Sequence, residues 1–269
     1  MIGALRYEWV RLTTLRSTWW LTGASIFVAG GVSFLWSLAL DNDDAMRGLG
    51  HPAAFAAVLT QGASTSAIPL LVAYIMGLFG VFTFGHEYRH GMIRATLTAL
   101  PQRSNVLAAK IIVTAGWAGL VAVICLALGA LWGYVNGSEV NFSLTVGDVP
   151  RVMLGYIIYV VMFTLIGLGV AAIVRNQAGA IVIMLVVPLV LETVLRLVIV
   201  VPDMFNSIQG VVQFFPFDAG NQMYVLFPVD FSSPIGPVPL DPLPGGVVMS
   251  VFMLLILTLG GGLFVVRDA

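Results

Sequence analysis

The stretch GHEYRHGMIRATLTALPQRSNVLAAK, Gly85 to Lys110, is a long polar insertion between two runs apolar enough to cross a bilayer. It carries four of the chain's twelve basic residues, Arg89, Arg94, Arg103 and Lys110. Met92, Ile93, Leu97 and Leu100 recur at near-helical spacing, with Arg94, Thr96 and Thr98 between them. That pattern predicts a short amphipathic helix at the membrane surface or against a partner. Pro101 stops it, and Ser104 or Asn105 can cap the helix that re-enters the bilayer. An ordinary basic cytosolic loop would carry the same charges.

The same stretch spells H-E-x-x-H at His86, Glu87 and His90. On a helix the two histidines share a face, and the Glu beside the first can act as general base to a zinc-bound water. An integral-membrane zinc metalloprotease is therefore the alternative reading. Against it stand Arg89, a cation between the two ligands, and Gly91, which weakens the helix that must fix their geometry. The remaining histidine, His51, falls on the other side of the membrane in the topology below. No metal is expected.

Composition sets the class. Of the 269 residues, 59% are hydrophobic and 9% charged, which marks an integral membrane protein and excludes a soluble domain. The single cysteine, Cys125, rules out an intrachain disulfide or a multi-cysteine metal site. Eleven arginines stand against one lysine, and Ala, Val and Gly abound, an association with GC-rich bacterial genomes.

Working outward, residues 2–17 read as an interfacial amphipathic helix, with Leu5, Trp9, Val10 and Leu12 among Arg6, Glu8, Arg11 and Arg16. Six spans are expected at about 18–40, 66–84, 109–132, 152–174, 178–201 and 246–266, in a single transmembrane domain over 1–269. The 18–40 run is too long for a signal-peptide core, so it is read as an uncleaved span. Residues 85–108 form the cytosolic segment between spans two and three. The outer segment, 202–245, is rich in aromatic residues, Pro and Gly, and is expected to hold re-entrant or interfacial helices.

The charges orient this layout. With the N-terminus in the cytosol, nine of the twelve basic residues are cytosolic: Arg6, Arg11, Arg16, Arg89, Arg94, Arg103, Lys110, Arg175 and Arg267. Arg47 and Arg151 fall outside, and Arg196 within a span. Basic residues inside are the signature of that orientation, so both termini are placed in the cytosol of a bacterial inner (plasma) membrane. Glu192 and Arg196 form an intramembrane polar pair, one turn apart and able to neutralise each other along a helix face.

No phosphate-binding loop is present. The motif needs a lysine after its last glycine, and the one lysine, Lys110, follows Ala109. The chain is therefore not expected to be an enzyme, and any ATP-driven role needs a separate subunit.

Glu87, three residues, Gly91, an apolar-rich helix through Leu97, then Pro101, Arg103 and Lys110 resemble the segment after the second span of type-two ABC transporter permeases. The family usually has Thr where this chain has Met92. The resemblance implies an all-α membrane fold of six spans, with the N-terminal interfacial helix, a cytosolic coupling helix and outer re-entrant helices. It implies a permease subunit of an ATP-driven exporter, forming the translocation path with a second copy of itself or a paralogue. Glu87, Arg89, Gly91, Ile93, Arg94, Leu97, Leu100, Pro101 and Arg103 would serve ATPase coupling. ABC ATPase subunits would be the cytosolic partners and would hold the ATP and Mg. No cofactor is expected in this chain, and no nucleic acid.

Overall fold

The computed structural model describes residues 1–38, 51–65, 69–89, 103–136, 147–201, 207–226 and 238–266. Every regular element among them is helical. In chain order they are α1 (Ile2–Thr14), α2 (Arg16–Leu38), α3 (His51–Leu59), α4 (Leu71–Arg89), α5 (Arg103–Asn136), α6 (Val149–Val174) and α7 (Gln177–Val186). A π-helical segment (Val187–Leu191) joins α7 to α8 (Glu192–Val200), and α9 (Pro216–Asn221) and α10 (Pro242–Val266) follow. Short 3-10 turns lie at Ala63–Thr65 and Gln209–Phe214.

Among the described residues five helices are long and apolar enough to cross a membrane: α2, α5, α6, the continuous run Gln177–Val200, and Pro242–Val265. α4, where the second span was expected, is not among them. Its 19 residues end in the polar turn His86-Glu87-Tyr88-Arg89, which dilutes its apolar stretch.

α2 shows how the sequence sorts its faces. Thr18, Thr22, Ser25, Ala29, Ser33 and Ser37 are buried, while Trp20, Phe27 and Leu35 are exposed. Small and weakly polar residues let helix backbones approach closely, and bulky apolar ones suit lipid. The buried face lies on α5. Trp117 Nε1 donates to Thr22 Oγ1 at 3.0 Å, and Asn136 Nδ2 donates to Ser37 Oγ at 2.7 Å. The two helices therefore run side by side in one direction, from the same face of the bundle. Cys125 is buried between them, its Sγ 3.8 Å from the Ser25 carbonyl oxygen.

α6 is the central post of the bundle. It crosses α4 at Gly77, Gly80 and Gly167, and a methyl on Gly80 would overlap the Thr164 carbonyl. A two-residue turn then reverses the chain. Arg175 takes a left-handed conformation with φ 54°, and the Asn176 side chain accepts from Gly179 N at 3.1 Å to cap α7.

Helix ends depart from the spans placed by hydropathy. The second helix runs 71–89 where 66–84 was expected, and the third runs 103–136 where 109–132 was expected. α1 ends at Thr14, and α2 begins at Arg16 after an extended Leu15. α10 starts at Pro242, four residues before the expected 246. A hydropathy window sees only the apolar part of a helix, whereas these helices carry their backbone bonding past it through polar turns. The expected coupling segment, 85–108, thereby gives five residues to α4 and six to α5. Residues 90–102 lie outside the described residues, and with them His90, Gly91, Ile93, Arg94, Leu97, Leu100 and Pro101.

α3 is buried, with Ser33 Oγ donating to the Val58 carbonyl at 2.8 Å and Gly129 against Leu59. The turn after it reverses through Gln61 (φ 56°) and Gly62 (φ 82°), where a side chain would meet the Trp36 indole. Gln61 donates to the Leu59 carbonyl at 2.8 Å and accepts from the Tyr156 hydroxyl at 3.0 Å. α9 seats Phe217 between Phe163 and Phe252, with ring centroids 5.1 and 5.8 Å away.

Candidate functional site

The chemistry-bearing residues converge where α1, the last turns of α4 and the first turns of α5 meet. α1 turns Ala4, Glu8 and Leu12 inward at i, i+4, i+8 spacing, so a carboxylate lies on the buried stripe. Glu87 reaches the same place from α4 and Lys110 from α5. Lys110 is fully buried at 0% exposure, Glu8 at 1% and Glu87 at 3%.

Four charges close on one another there. Lys110 Nζ lies 2.7 Å from Glu8 Oε1 and 2.6 Å from Glu87 Oε1. Arg11 Nη1 donates to Glu87 Oε1 at 2.7 Å, and Arg11 Nε donates to Glu8 Oε2 at 3.0 Å. The Arg11 Nη1 and Nη2 groups also donate to the Thr83 carbonyl, each at 3.0 Å. The Phe84 ring lies under the ammonium, 5.2 Å from Nζ to the centroid. Two cations and two carboxylates give a cluster of zero net charge. Taking a charge out of water costs several kcal/mol, and only short, charge-assisted bonds of this kind offset it.

The arrangement is a joint. It ties the N-terminal helix to the two helix ends from which residues 90–102 leave and return. Around it, Arg103 Nη1 donates to the Val265 carbonyl at 3.1 Å, and Phe84 packs edge-on to Phe264 at 5.3 Å. The Arg175 guanidinium lies 5.7 Å over the Tyr88 ring. The ends of α4, α6 and α10 and the start of α5 thus share one face of the bundle.

Of the residues named for coupling, Glu87 sits inside the joint and Arg103 beside it. Arg89 ends α4, with its side chain outside the described residues along with the rest of the group. Glu8, Arg11 and Lys110 were not named. A signal existed for Lys110: a lone lysine within Ala108-Ala109-Lys110-Ile111-Ile112 needs an acid partner if its helix is to be buried. Nothing local says which acid, since Glu8 is 102 residues away.

Of the histidine motif, His86 and Glu87 fall within the described residues and His90 does not. His86 Nε2 lies 3.0 Å from Ser17 Oγ, and its ring stands edge-on to Phe82 at 5.0 Å. Glu87 Oε1 is bonded to both Lys110 and Arg11. Among the described residues no group of three His, Cys, Asp or Glu side chains could hold a metal.

Glu192 and Arg196, one turn apart on α8, each reach α9. The Glu192 Oε1 and Oε2 atoms accept from the backbone N–H groups of Phe217 and Asp218, both at 3.2 Å. Arg196 pairs with the Asp218 carboxylate. The charges within this span are thus bonded to the outer segment.

A family model described as an ABC-2 family transporter protein matches residues 4–191 of the 269. The match covers all four residues of the buried joint and the whole of Gly85 to Lys110. No curated protein matches. With five helices among the described residues long and apolar enough to cross a membrane, and this match over more than two thirds of its length, the chain is a multi-pass membrane protein that belongs to the ABC-2 transporter family.

Proposed function

We infer that the chain is the permease subunit of an ATP-driven exporter, and that residues 90–102 dock a separate ATPase subunit from the cytosol. The observation that carries this is the buried joint: Lys110 bridges Glu8 and Glu87 at 2.7 and 2.6 Å. A docking segment transmits force only if both of its ends are anchored in the body that must move. Here α4 and α5 are pinned to each other and to α1 by charge pairs that water does not screen. The ATP and Mg belong to the partner, because this chain lacks the loop that holds phosphates. Two copies, or this chain and a paralogue, enclose the path. α4 is the sixth span, since 19 residues rise about 28 Å against a hydrocarbon core of about 30 Å.

The test is on the docking face. Ile93, Leu97 and Leu100 make the apolar side of the 90–102 pattern, and such a side enters a groove of its partner. Truncating a buried anchor costs about 1 kcal/mol or more, and Leu97→Asp costs more because it leaves a carboxylate unpaired in an apolar groove. Leu97→Asp is expected to insert normally yet lose the ATPase during purification, or hold it without stimulating turnover. Thr96→Asp, on the polar side, retains both. Normal co-purification and stimulated turnover in Leu97→Asp would sink the assignment of this segment.

A further inference from the structure

The run Gln177–Val200 is two different helices in its packing. Below the π segment, α7 is seated: Ala180 and Met184 are buried at 0% and 2%, and Met184 reaches Gly77 of α4. Above it, Val200 is the buried residue of α8, at 9%, while Val194, Leu195, Leu197 and Val198 are all exposed. Between the halves lies Val187–Leu191, with Pro188 inside it. Proline supplies no N–H, and π segments and proline are the usual places where a helix bends.

α9, opposite, is fixed in the body. Phe217, Ala219 and Gly220 are buried, Gly220 lies against Met249 of α10, and Gly245 lies against the Ala219 carbonyl. Polar bonds join the exposed α8 to the fixed α9 and to the 3-10 turn Gln209–Phe214 before it. Glu192 accepts from Phe217 N and Asp218 N, Arg196 pairs with Asp218, and Gln209 Nε2 donates to the Val200 carbonyl at 3.2 Å. Ionised groups on a helix that buries so little are costly in a membrane, and they persist where they hold something or face water.

We propose that Glu192, Arg196 and Asp218 are a latch, and that Val187–Leu191 is the hinge on which α8 swings away from α9 to open the outer end. The opening role rests on the permease reading above; the latch and hinge themselves do not. Apolar packing would resist separation over the whole contact, whereas a few charge bonds release together once a partner group is withdrawn. Both ends of the latch lie on the outer side, far from the joint at Lys110, so it closes the end of the bundle opposite the docking segment.

The test uses the full chain in lipid nanodiscs, in a Cys125→Ala background, and needs neither ATPase nor substrate. Spin labels at Val194→Cys and Val211→Cys report α8 against the outer 3-10 turn. A second pair, Val182→Cys with Val211→Cys, reports α7, below the hinge. Both give one narrow distance with the latch intact. Asp218→Asn is expected to raise the longer-distance population of the 194–211 pair about fivefold, the loss of roughly one ion pair, and to leave the 182–211 pair unchanged. Arg196→Gln, which breaks the same pair from the α8 side, gives the same shift and guards against a fault peculiar to α9. An unchanged 194–211 distribution in both variants overturns the latch. Equal shifts at both pairs overturn the hinge. Neither outcome bears on whether Leu97→Asp releases the ATPase, so the two readings fail separately.

Discussion

Lys110 lies at 0% exposure with two carboxylates and an aromatic face around it within 5.2 Å. Removing one partner of a buried pair costs about 3–5 kcal/mol, since the charge left behind is neither hydrated nor compensated. Lys110→Met leaves Glu8 and Glu87 facing Arg11 alone, one negative charge in excess. Its thermal unfolding midpoint in detergent, read by loss of the monodisperse elution peak, is expected to fall sharply. Adding Glu87→Gln restores neutrality, and the double variant is expected to regain much of the loss. A double variant no more stable than Lys110→Met would show that shape, not charge balance, holds the joint. Glu87 could be picked from the sequence as a site residue, but what it touches could not. Its partners Arg11 and Lys110 lie 76 and 23 residues away, and pairing over such separations is decided by helix packing.

At the scale of elements, close helix crossing is the organising fact. The approach of α4 to α6 depends on Gly77, Gly80 and Gly167, where a methyl group would strike a neighbouring carbonyl or the Phe163 ring. Gly80→Ala must push the two helices apart, at a cost of about 1–3 kcal/mol for forcing extra atoms into a filled interface. Gly116, on the exposed side of α5, has nothing within 4 Å of the position a methyl would take. Gly116→Ala is expected to be neutral or stabilising by about 1 kcal/mol, through helix propensity. Unfolding of both variants in mixed detergent micelles checks this, and a Gly80→Ala protein as stable as Gly116→Ala would refute the crossing argument. Spanning helices were visible in hydropathy because each is apolar for about 20 residues. α3 was not. His51-Pro52-Ala53-Ala54-Phe55 reads as a weak helix, and its burial comes from Ser33, Trp36 and Gly129, which no local pattern brings to it.

Across the whole molecule, the two ends of the bundle differ in kind, with the charge joint at one and the latch at the other. The topology that assigns them to cytosol and exterior is tested by single cysteines in a Cys125→Ala background. Val238→Cys, which replaces an 83% exposed side chain, should react with an impermeant thiol reagent added to intact cells. Ser104→Cys, exposed at the start of α5, should react only after the membrane is opened. Labelling of Ser104→Cys from outside would invert the layout. The sequence by itself determined that the chain lives in a bilayer and where the polar insertion lies. These follow from transfer free energy and charge summed along a segment, and such sums need no neighbours. Tertiary structure alone decided that Glu87 pairs with Lys110 and Arg11, that Glu192 and Arg196 bond to α9, and that α4 and α6 cross at bare backbone. Each depends on distances between helices far apart in sequence, set by how small residues let those helices approach.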